Sequence, residues 1–108
     1  MKRGTLVIVR ERQSPASKSR PCVVIQRTST IEASDHLTVC PLTSTLRGPQ
    51  GQRPMIVATQ KTGLEKPSEV EIDWVFTFPT ERVGKIIGEI DDVTMRAIDN
   101  SLRRWLDL

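Results

Sequence analysis

The sequence is poor in the residues that metal sites and hydrolase triads require. Its 108 residues include a single histidine, His36, only two cysteines and no tyrosine. His36 has no second histidine and no Cys, Asp or Glu partner at the spacing of a zinc site. The chain also lacks a glycine-rich phosphate loop, a Gly-x-Ser-x-Gly turn and a Cys–His pair with a third orienting group. We therefore expect no metal, no cofactor and no triad, and we expect His36 to be a hydrogen-bonded structural residue.

Long apolar segments are missing as well. No stretch approaches the roughly 20 consecutive apolar residues of a membrane helix, and the opening Met-Lys-Arg-Gly-Thr lacks the apolar region of a signal peptide. The sequence therefore predicts a cytoplasmic protein that does not cross a membrane, with residues 1–108 forming a single domain. Cys22 and Cys40 lie inside short apolar runs, which favours buried free thiols over a disulfide bond in that compartment.

Acidic residues are scarce in the first part of the chain. Residues 1–61 contain ten Lys or Arg and three Asp or Glu, a net charge of +7, whereas residues 62–108 contain six and ten, a net charge of −4. Any one of these charges is most simply a solvated surface residue. The basic cluster as a whole favours a surface that binds a polyanion such as nucleic acid.

Hydrophobic periodicity is close to two through most of the chain, which predicts short strands. Positions 70, 72, 74, 76 and 78 are apolar, so a single half-buried strand is expected over residues 70–78. Its aromatic residues Trp74, Phe76 and Phe78 are assigned to the core rather than to base stacking. The other predicted strands cover residues 5–9, 21–26, 37–42, 55–59 and 83–87.

A helical period begins only at Asp92. Apolar residues at 95, 98, 102 and 105 or 106 predict one helix with a buried stripe, and Asp92 is placed to cap it. The opposite face, with Arg96, Asp99, Arg103 and Arg104, is expected to be solvated. Five or six short strands followed by one helix predict a mainly β (α+β) fold, a twisted sheet or partly closed barrel with the helix packed on it.

Two polar groups stand at the ends of predicted strands. Arg20 comes before Pro21 at the entrance to one strand, and Thr43 comes at the exit of the next. An arginine fork binds two phosphate oxygens, and a hydroxyl from Thr43, Ser44 or Thr45 could bond to the same phosphate. RNA cleavage needs no external nucleophile, because the ribose 2′-hydroxyl attacks the adjacent phosphate. The proton acceptor is left unassigned, since the ordinary pKa of arginine lies above about 12.

Several short motifs follow one another in a particular order. Arg3-Gly4 precedes the first strand, Arg20-Pro21 opens the second, Val39-Cys40-Pro41-Leu42-Thr43 closes the third, and the segments 68–78 and 92–108 follow. In this order and spacing, over nearly its whole length, the chain resembles the MazF/PemK/Kid toxins of bacterial toxin–antitoxin systems.

The resemblance implies an SH3-like barrel of five to seven strands and a homodimer. It implies a metal-independent endoribonuclease that cuts single-stranded RNA at short sequences, leaves a 2′,3′-cyclic phosphate, and so inhibits translation and growth. It also implies a partner, a small antitoxin whose acidic, flexible tail occupies the RNA groove.

Carried over to this sequence, the family's catalytic arginine falls on Arg20 and its threonine falls on Thr43. The first loop departs from the family's common Gly-Ser-Glu pattern, because Ser14–Ser19 is shorter and has Lys18 where an acid is expected, and Thr5 replaces the aspartate of the common Arg-Gly-Asp. Weaker candidates for RNA contacts lie in the two basic loops, 10–20 and 44–53, which are expected to be mobile: Lys18, Ser19, Ser44, Thr45, Arg47 and Arg53.

Two other interpretations remain open from the sequence. The CcdB toxins share the barrel-plus-helix plan and inhibit DNA gyrase by binding, and residues 39–42 with Trp105 near the C-terminus would suit that role loosely. A barrel that binds RNA or a partner without catalysis would keep the basic loops while Arg20 proved dispensable. The Arg20-Pro21 pair favours the nuclease.

Overall fold

The computed structural model of the chain describes residues 1–12, 18–49 and 52–108. The strands in these ranges are β1 (Thr5–Arg10), β2 (Ser19–Val24), β3 (His36–Thr43), β4 (Met55–Ile56), β5 (Ser68–Val70), β6 (Phe76–Pro79) and β7 (Val83–Glu89). The helices are α1 (Thr28–Ile31) and α2 (Asp92–Leu106), with a 3₁₀ turn at Thr80–Arg82. Parts of both basic loops, residues 13–17 and 50–51, lie outside the described ranges. Most of Ser14–Ser19, the segment that departs from the family's common loop pattern, therefore lies outside them too.

The strands form one antiparallel sheet in the order β4-β5-β3-β2-β1-β7, and β6 also pairs with β3. β2 lies along one edge of β3, while β5 and β6 share the other edge, β5 near the C-terminal end of β3 and β6 near its N-terminal end. The sheet curls into a half-barrel with α2 packed on one face. The predicted fold class, mainly β with a C-terminal helix, is confirmed.

Alternation along the strands gives each face of the sheet its own hydrophobic cluster. One cluster packs the sheet against α2, which contributes Ile98 and Leu102. The other cluster, on the opposite face, includes Val9 and Val39, and Phe78 packs at its border. α2 therefore covers one face of the sheet, and Ile31 of α1 packs into the cluster on the other face.

The two cysteines belong to different clusters. Cys22 and Cys40 are both buried and free, as predicted, but they point to opposite faces of the sheet, so a disulfide bond between them is excluded by geometry. Burial raises the pKa of each thiol to about 12. Both therefore act as small apolar core residues.

The prediction of one strand over residues 70–78 is wrong. β5 ends at Val70 and β6 begins at Phe76, and between them the N–H of Ile72 donates to the Val70 carbonyl and that of Trp74 to the Glu71 carbonyl, both at 2.9 Å. These bonds form a turn. As a result Ile72 is buried, whereas Trp74 is 52% exposed and Phe76 is 41% exposed, so the assignment of these aromatic residues to the core is also wrong for those two.

Helix α2 is confirmed in position but differs in detail. The residue that caps it is Asp91, whose carboxylate accepts the Thr94 N–H at 2.8 Å, because Asp92 already lies in the first helical turn. Trp105 and Leu106 are exposed, so the buried stripe ends at Leu102. No helix in the described part of the chain is long and apolar enough to cross a membrane.

Some elements have other bounds than those predicted from the hydrophobic periodicity. The strand predicted at 55–59 keeps only Met55–Ile56, because the chain then folds into a turn in which the Thr62 hydroxyl donates to the Val57 carbonyl at 2.9 Å. The short helix α1 was not predicted, since four residues are too few to show a helical period.

Candidate functional site

Arg20 is positioned by strands on both sides. β1 and β2 pair with Val9 opposite Arg20, and alternation puts the Arg20 side chain on the same face as Cys22. Its Nη2 atom contacts the Glu71 carboxylate and lies 3.4 Å from the Leu42 carbonyl oxygen. The guanidinium is therefore held against β3 and the turn that follows β5, while 39% of the side chain remains exposed.

Thr43 ends β3 next to Arg20. β2 and β3 pair from Val24 opposite Val39 to Cys22 opposite Pro41, and Arg20 and Thr43 each lie two residues beyond that last pair, so alternation directs both side chains to the face of Cys22. The Thr43 hydroxyl accepts the backbone N–H of Thr45 at 3.1 Å, in the loop after β3. The two residues assigned to catalysis therefore lie at the same end of the β2–β3 pair, and Arg20, but not Thr43, is among the residues that line the groove described next.

An open groove of about 510 Å³ runs along this face beside Arg20. Three rings line it in a row, which we call the aromatic ladder: Trp74, Phe76 and Phe78. The centroids of Trp74 and Phe76 are 5.7 Å apart with the ring planes 13° apart, and those of Phe76 and Phe78 are 5.6 Å apart. The rest of the lining is apolar at Val9, Cys22 and Pro41 and charged or polar at Glu11, Arg20, Glu71, Thr77 and Arg82.

Glu71 connects Arg20 to a second charged pair. Its Oε2 atom lies 3.8 Å from Arg53 Nη2, and Arg53 in turn donates two hydrogen bonds to Asp73, at 3.1 and 2.9 Å. The Arg53 side chain is only 4% exposed. Its hydrogen bonds hold the pKa of the Asp73 carboxyl below the ordinary value. Arg53 therefore holds the turn after β5 in place, and it lines a separate cavity rather than the groove.

The loop after β3 is anchored by a buried carboxylate. Glu69 is 1% exposed, and its oxygens accept the backbone N–H groups of Arg47 (3.1 Å to each oxygen) and Gly48 (3.0 Å). This loop carries three of the weaker candidates for RNA contacts: Ser44, Thr45 and Arg47. The Arg47 side chain lines the cavity beside Arg53, while Ser44 lines another cavity together with Pro21.

The remaining predicted contacts lie at the entrance of β2. Lys18 and Ser19 are exposed, immediately before Arg20. His36 lies at the opposite end of β3 from Thr43, is exposed, and its Nδ1 atom is 2.7 Å from the Asp35 carboxylate. In the described ranges, no group of three His, Cys, Asp or Glu side chains could hold a metal ion.

Glu71, Arg82 and the exposed aromatic ladder are components of this groove that were not predicted from the sequence. Glu71 lies 51 residues from Arg20, so no local spacing indicates their contact. Arg82 comes from the 3₁₀ turn before β7, and its Nη1 atom donates to the Glu11 carbonyl at 3.0 Å. The only available signal was the run of aromatic residues at 74, 76 and 78, which periodicity assigned to a buried face.

Together, the curled sheet, the C-terminal helix and the groove beside Arg20 define a small half-barrel protein. Residues 2–106 match the family model described as "PemK-like, MazF-like toxin of type II toxin-antitoxin system". The chain therefore belongs to this toxin family. A curated relative, the "Probable endoribonuclease MazF" of Mycolicibacterium smegmatis, is 29% identical over 108 residues, which cover all of this chain and 98% of the relative.

Solved structures agree with this assignment. The Mycobacterium tuberculosis toxin MazF-mt6 superposes with a TM-score of 0.80 and 25% identity, over 95% of this chain and 97% of that toxin. MazF from Deinococcus radiodurans superposes with a TM-score of 0.81 and 16% identity, over 100% and 97% of the two chains, which supports the fold. A mycobacterial endoribonuclease solved in complex with its cognate antitoxin has a TM-score of 0.74 and 18% identity, over 100% and 94%.

Proposed function

We propose that this toxin is a metal-independent endoribonuclease that cuts single-stranded RNA and so inhibits translation and growth. Its single toxin domain, residues 1–108, would act by attack of a ribose 2′-hydroxyl on the adjacent phosphate, which leaves a 2′,3′-cyclic phosphate. The observation that carries the proposal is the exposed guanidinium of Arg20 at the side of a groove with an aromatic wall. The name of the curated relative supports the same activity.

Arg20 supplies charge stabilisation. When the 2′-oxygen attacks, negative charge builds on the phosphate oxygens, and a guanidinium fork binds two such oxygens with defined geometry. Thr43, at the same end of the β2–β3 pair, would donate a hydroxyl hydrogen bond to the same phosphate. Since the nucleophile belongs to the substrate, the protein has to orient the strand and stabilise the charge, and no activated water is required.

The aromatic ladder explains why the substrate would be single-stranded. A base in a duplex is stacked on its neighbours, whereas a base in a single strand is free to stack on a protein ring. Trp74 and Phe76 present exposed rings along the groove. Arg20 and Arg82 add positive charge for the RNA backbone, and the exposed Lys18 and Ser19, directly before Arg20, are proposed as further contacts.

The same groove is the proposed site for a cognate antitoxin in the cytoplasm. Arg20 and Arg82 in the groove are balanced by Glu11 and Glu71, so the charge that would attract an acidic peptide or RNA belongs to the first 61 residues as a whole, which carry a net charge of +7. Similar folds have been solved with an antitoxin, among them a mycobacterial endoribonuclease and the MazE–MazF complex of Deinococcus radiodurans.

We also propose a homodimer, for which the apolar side chains exposed at the end of α2 offer a surface: Trp105, Leu106 and Leu108. The comparisons give no support to the gyrase-binding alternative.

The test is incubation of the purified protein with a long single-stranded RNA in excess EDTA, with the new ends mapped by primer extension. Arg20→Ala is expected to lower the cleavage rate by about 10²–10³-fold, the usual effect of removing one donor to a developing anion. Thr43→Ala is expected to lower it by about 2- to 12-fold, the value of one neutral hydrogen bond. The matched control is Arg96→Ala, an exposed arginine on α2.

Discrete cuts that end in cyclic phosphates and are lost in the Arg20 variant would support the proposal. Intact RNA with a folded wild-type protein would overturn it. If RNA is bound but never cut, and Arg20→Ala binds equally well, the protein is the non-catalytic binding barrel instead.

A further inference from the structure

The groove contains a carboxylate that the proposed mechanism has not yet used. Glu71 contacts Arg20 through Oε1 and lies 3.8 Å from Arg53 through Oε2, and most of its side chain is buried. We propose that Glu71 is the general base of the cleavage reaction. This inference rests on the proposed function, because it names the group that accepts the 2′-hydroxyl proton in that reaction.

The position of Glu71 follows from its contact with Arg20. A phosphate bound by the Arg20 fork brings its own 2′-oxygen close to the same guanidinium, since the attacking oxygen and the phosphate oxygens all meet at phosphorus. A carboxylate that touches this guanidinium is then within reach of the 2′-hydroxyl, which is the first requirement for a general base. An ionised carboxylate only accepts hydrogen bonds, so it suits the uptake of a proton and not the binding of phosphate.

The other carboxylates nearby are less suited to this role. Asp73 has both oxygens bonded by Arg53, and it lines the cavity next to α2 rather than the groove. Glu11 lines the groove but is exposed, and the hydrogen bonds that fix it are made by its backbone, whose N–H donates to the Lys18 carbonyl and whose carbonyl accepts from Arg82. Glu71 is the carboxylate in the groove that a second arginine holds in place while the first is available to substrate.

The step balances in atoms and charge. The Glu71 carboxylate takes the proton from the ribose 2′-hydroxyl as the 2′-oxygen forms a bond to phosphorus. The bond between phosphorus and the 5′-oxygen breaks, and the 5′-oxygen takes a proton from a water molecule. The products are a 2′,3′-cyclic phosphate and a free 5′-hydroxyl, and Glu71 then returns its proton to solvent.

The experiment measures single-turnover cleavage of a short RNA that spans a position mapped on the long transcript. Glu71→Gln is expected to lower the rate by about 10²–10⁴-fold, the usual contribution of a general base. Binding of the same RNA with a 2′-deoxy residue at the cut should be no weaker in this variant, because the neutral amide repels phosphate less than the carboxylate does. The matched control is Glu32→Gln, an exposed glutamate next to α1.

Two further measurements separate proton transfer from the positioning of Arg20. In Glu71→Ala, added formate and acetate should restore part of the rate, with acetate, the stronger base, more effective at equal concentration of the ionised form. A substrate with sulfur in place of the bridging 5′-oxygen has a better leaving group. Because the 2′-hydroxyl proton must still be removed, Glu71→Gln should lower the cleavage rate of this substrate as well. If the defect disappears with the sulfur substrate, Glu71 assists the leaving group and is not the base.

The outcomes also separate this inference from the function on which it rests. If the wild-type protein does not cut RNA, the proposed function fails first. If the wild type cuts and Glu71→Gln cuts at the wild-type rate, only the inference fails. A cleavage rate that falls in Glu11→Gln and stays at the wild-type value in Glu71→Gln would assign the base to Glu11. Circular dichroism of each variant checks folding, and Glu71→Asp, which keeps the charge on a shorter side chain, should retain more activity than Glu71→Gln.

Discussion

Removing the negative charge of Glu69 should detach the loop after β3 without emptying the core. Glu69→Gln keeps the size of the side chain but replaces one of the two carboxylate oxygens by an NH₂ donor. The backbone N–H groups of Arg47 and Gly48 currently share these two oxygens, at 3.0–3.1 Å. In the variant one oxygen remains for two donors, and the new NH₂ group faces an N–H instead of an acceptor.

The expected decrease in the free energy of unfolding follows from the number of N–H donors left without an acceptor. A hydrogen bond to a charged group contributes about 1.5–3 kcal/mol, so the loss of one of them should lower the free energy of unfolding by that amount. For a chain of this size, with a urea m-value of about 1–1.5 kcal/mol per molar, the midpoint should fall by about 1–3 M. Glu65→Gln, at an exposed position on the segment before β5, is the matched control and should stay within about 0.5 kcal/mol of the wild type.

Two assays test this prediction together. Urea unfolding followed by circular dichroism measures the global loss, and hydrogen exchange of the Gly48 amide measures whether the loop has opened. We expect faster exchange at Gly48 in Glu69→Gln at urea concentrations where β1–β3 remain protected. A wild-type midpoint combined with a protected Gly48 amide would show that the carboxylate does not hold the loop, and the reasoning from these contacts would be wrong.

Three more predictions concern the groove and its surroundings. Trp74→Ala should weaken binding of single-stranded RNA by about 5- to 150-fold, since stacking of one base contributes about 1–3 kcal/mol, whereas Ile86→Ala, equally exposed on β7, should not. Gly88→Ala should destabilise the fold strongly, because a Cβ there would lie 2.3 Å from the Lys61 carbonyl oxygen. Because Arg53 lowers the pKa of Asp73, their pairing stabilises the fold above about pH 4 and is lost as the pH falls further, so Asp73→Asn should flatten that part of the acid unfolding curve.

Each of these predictions has a result that would contradict it. Equal RNA affinity in the Trp74 and Ile86 variants would remove the aromatic ladder from the binding surface. Unchanged urea unfolding of Gly88→Ala would mean that the segment before Gly63 is not packed tightly on β7. An acid unfolding curve of Asp73→Asn parallel to that of the wild type below pH 4 would show that the Arg53 pair does not contribute to acid stability.

The parts of the fold that were predictable from sequence are those in which one local pattern specifies one structure. β1, β2, β3 and β7 were found within a few residues of their observed ends, because each is a short apolar run bounded by turn residues. The location of Arg20 and Thr43 at one end of the β2–β3 pair follows from those strands and their antiparallel pairing. The helix cap was missed by one residue, because Asp91 and Asp92 have the same side chain and only the backbone geometry distinguishes them.

The parts that were not predictable depend on contacts between distant residues. The pairing of Arg20 with Glu71 and that of Arg53 with Asp73 join positions 51 and 20 residues apart, and each is fixed by how β5 meets β3. The alternation over residues 70–78 is equally compatible with one strand or with two strands that pair with opposite ends of β3. Tertiary pairing selects the second arrangement, and the periodicity contains no information about that choice.

The interruption of that strand is also what builds the candidate site. In a continuous strand Glu71 would face away from Val70 and Ile72 while Trp74 faced the same way as they do, because side chains alternate. The turn at residues 71–75 removes this constraint, so that Ile72 packs beneath α2, Glu71 reaches Arg20, and Trp74 comes out along the groove. Large exposed aromatic side chains gain little from folding, so their presence here is best explained by what they bind. The segment that departs from regular β-structure thus supplies both the proposed base and the stacking surface, while the regular strands supply Arg20 and Thr43.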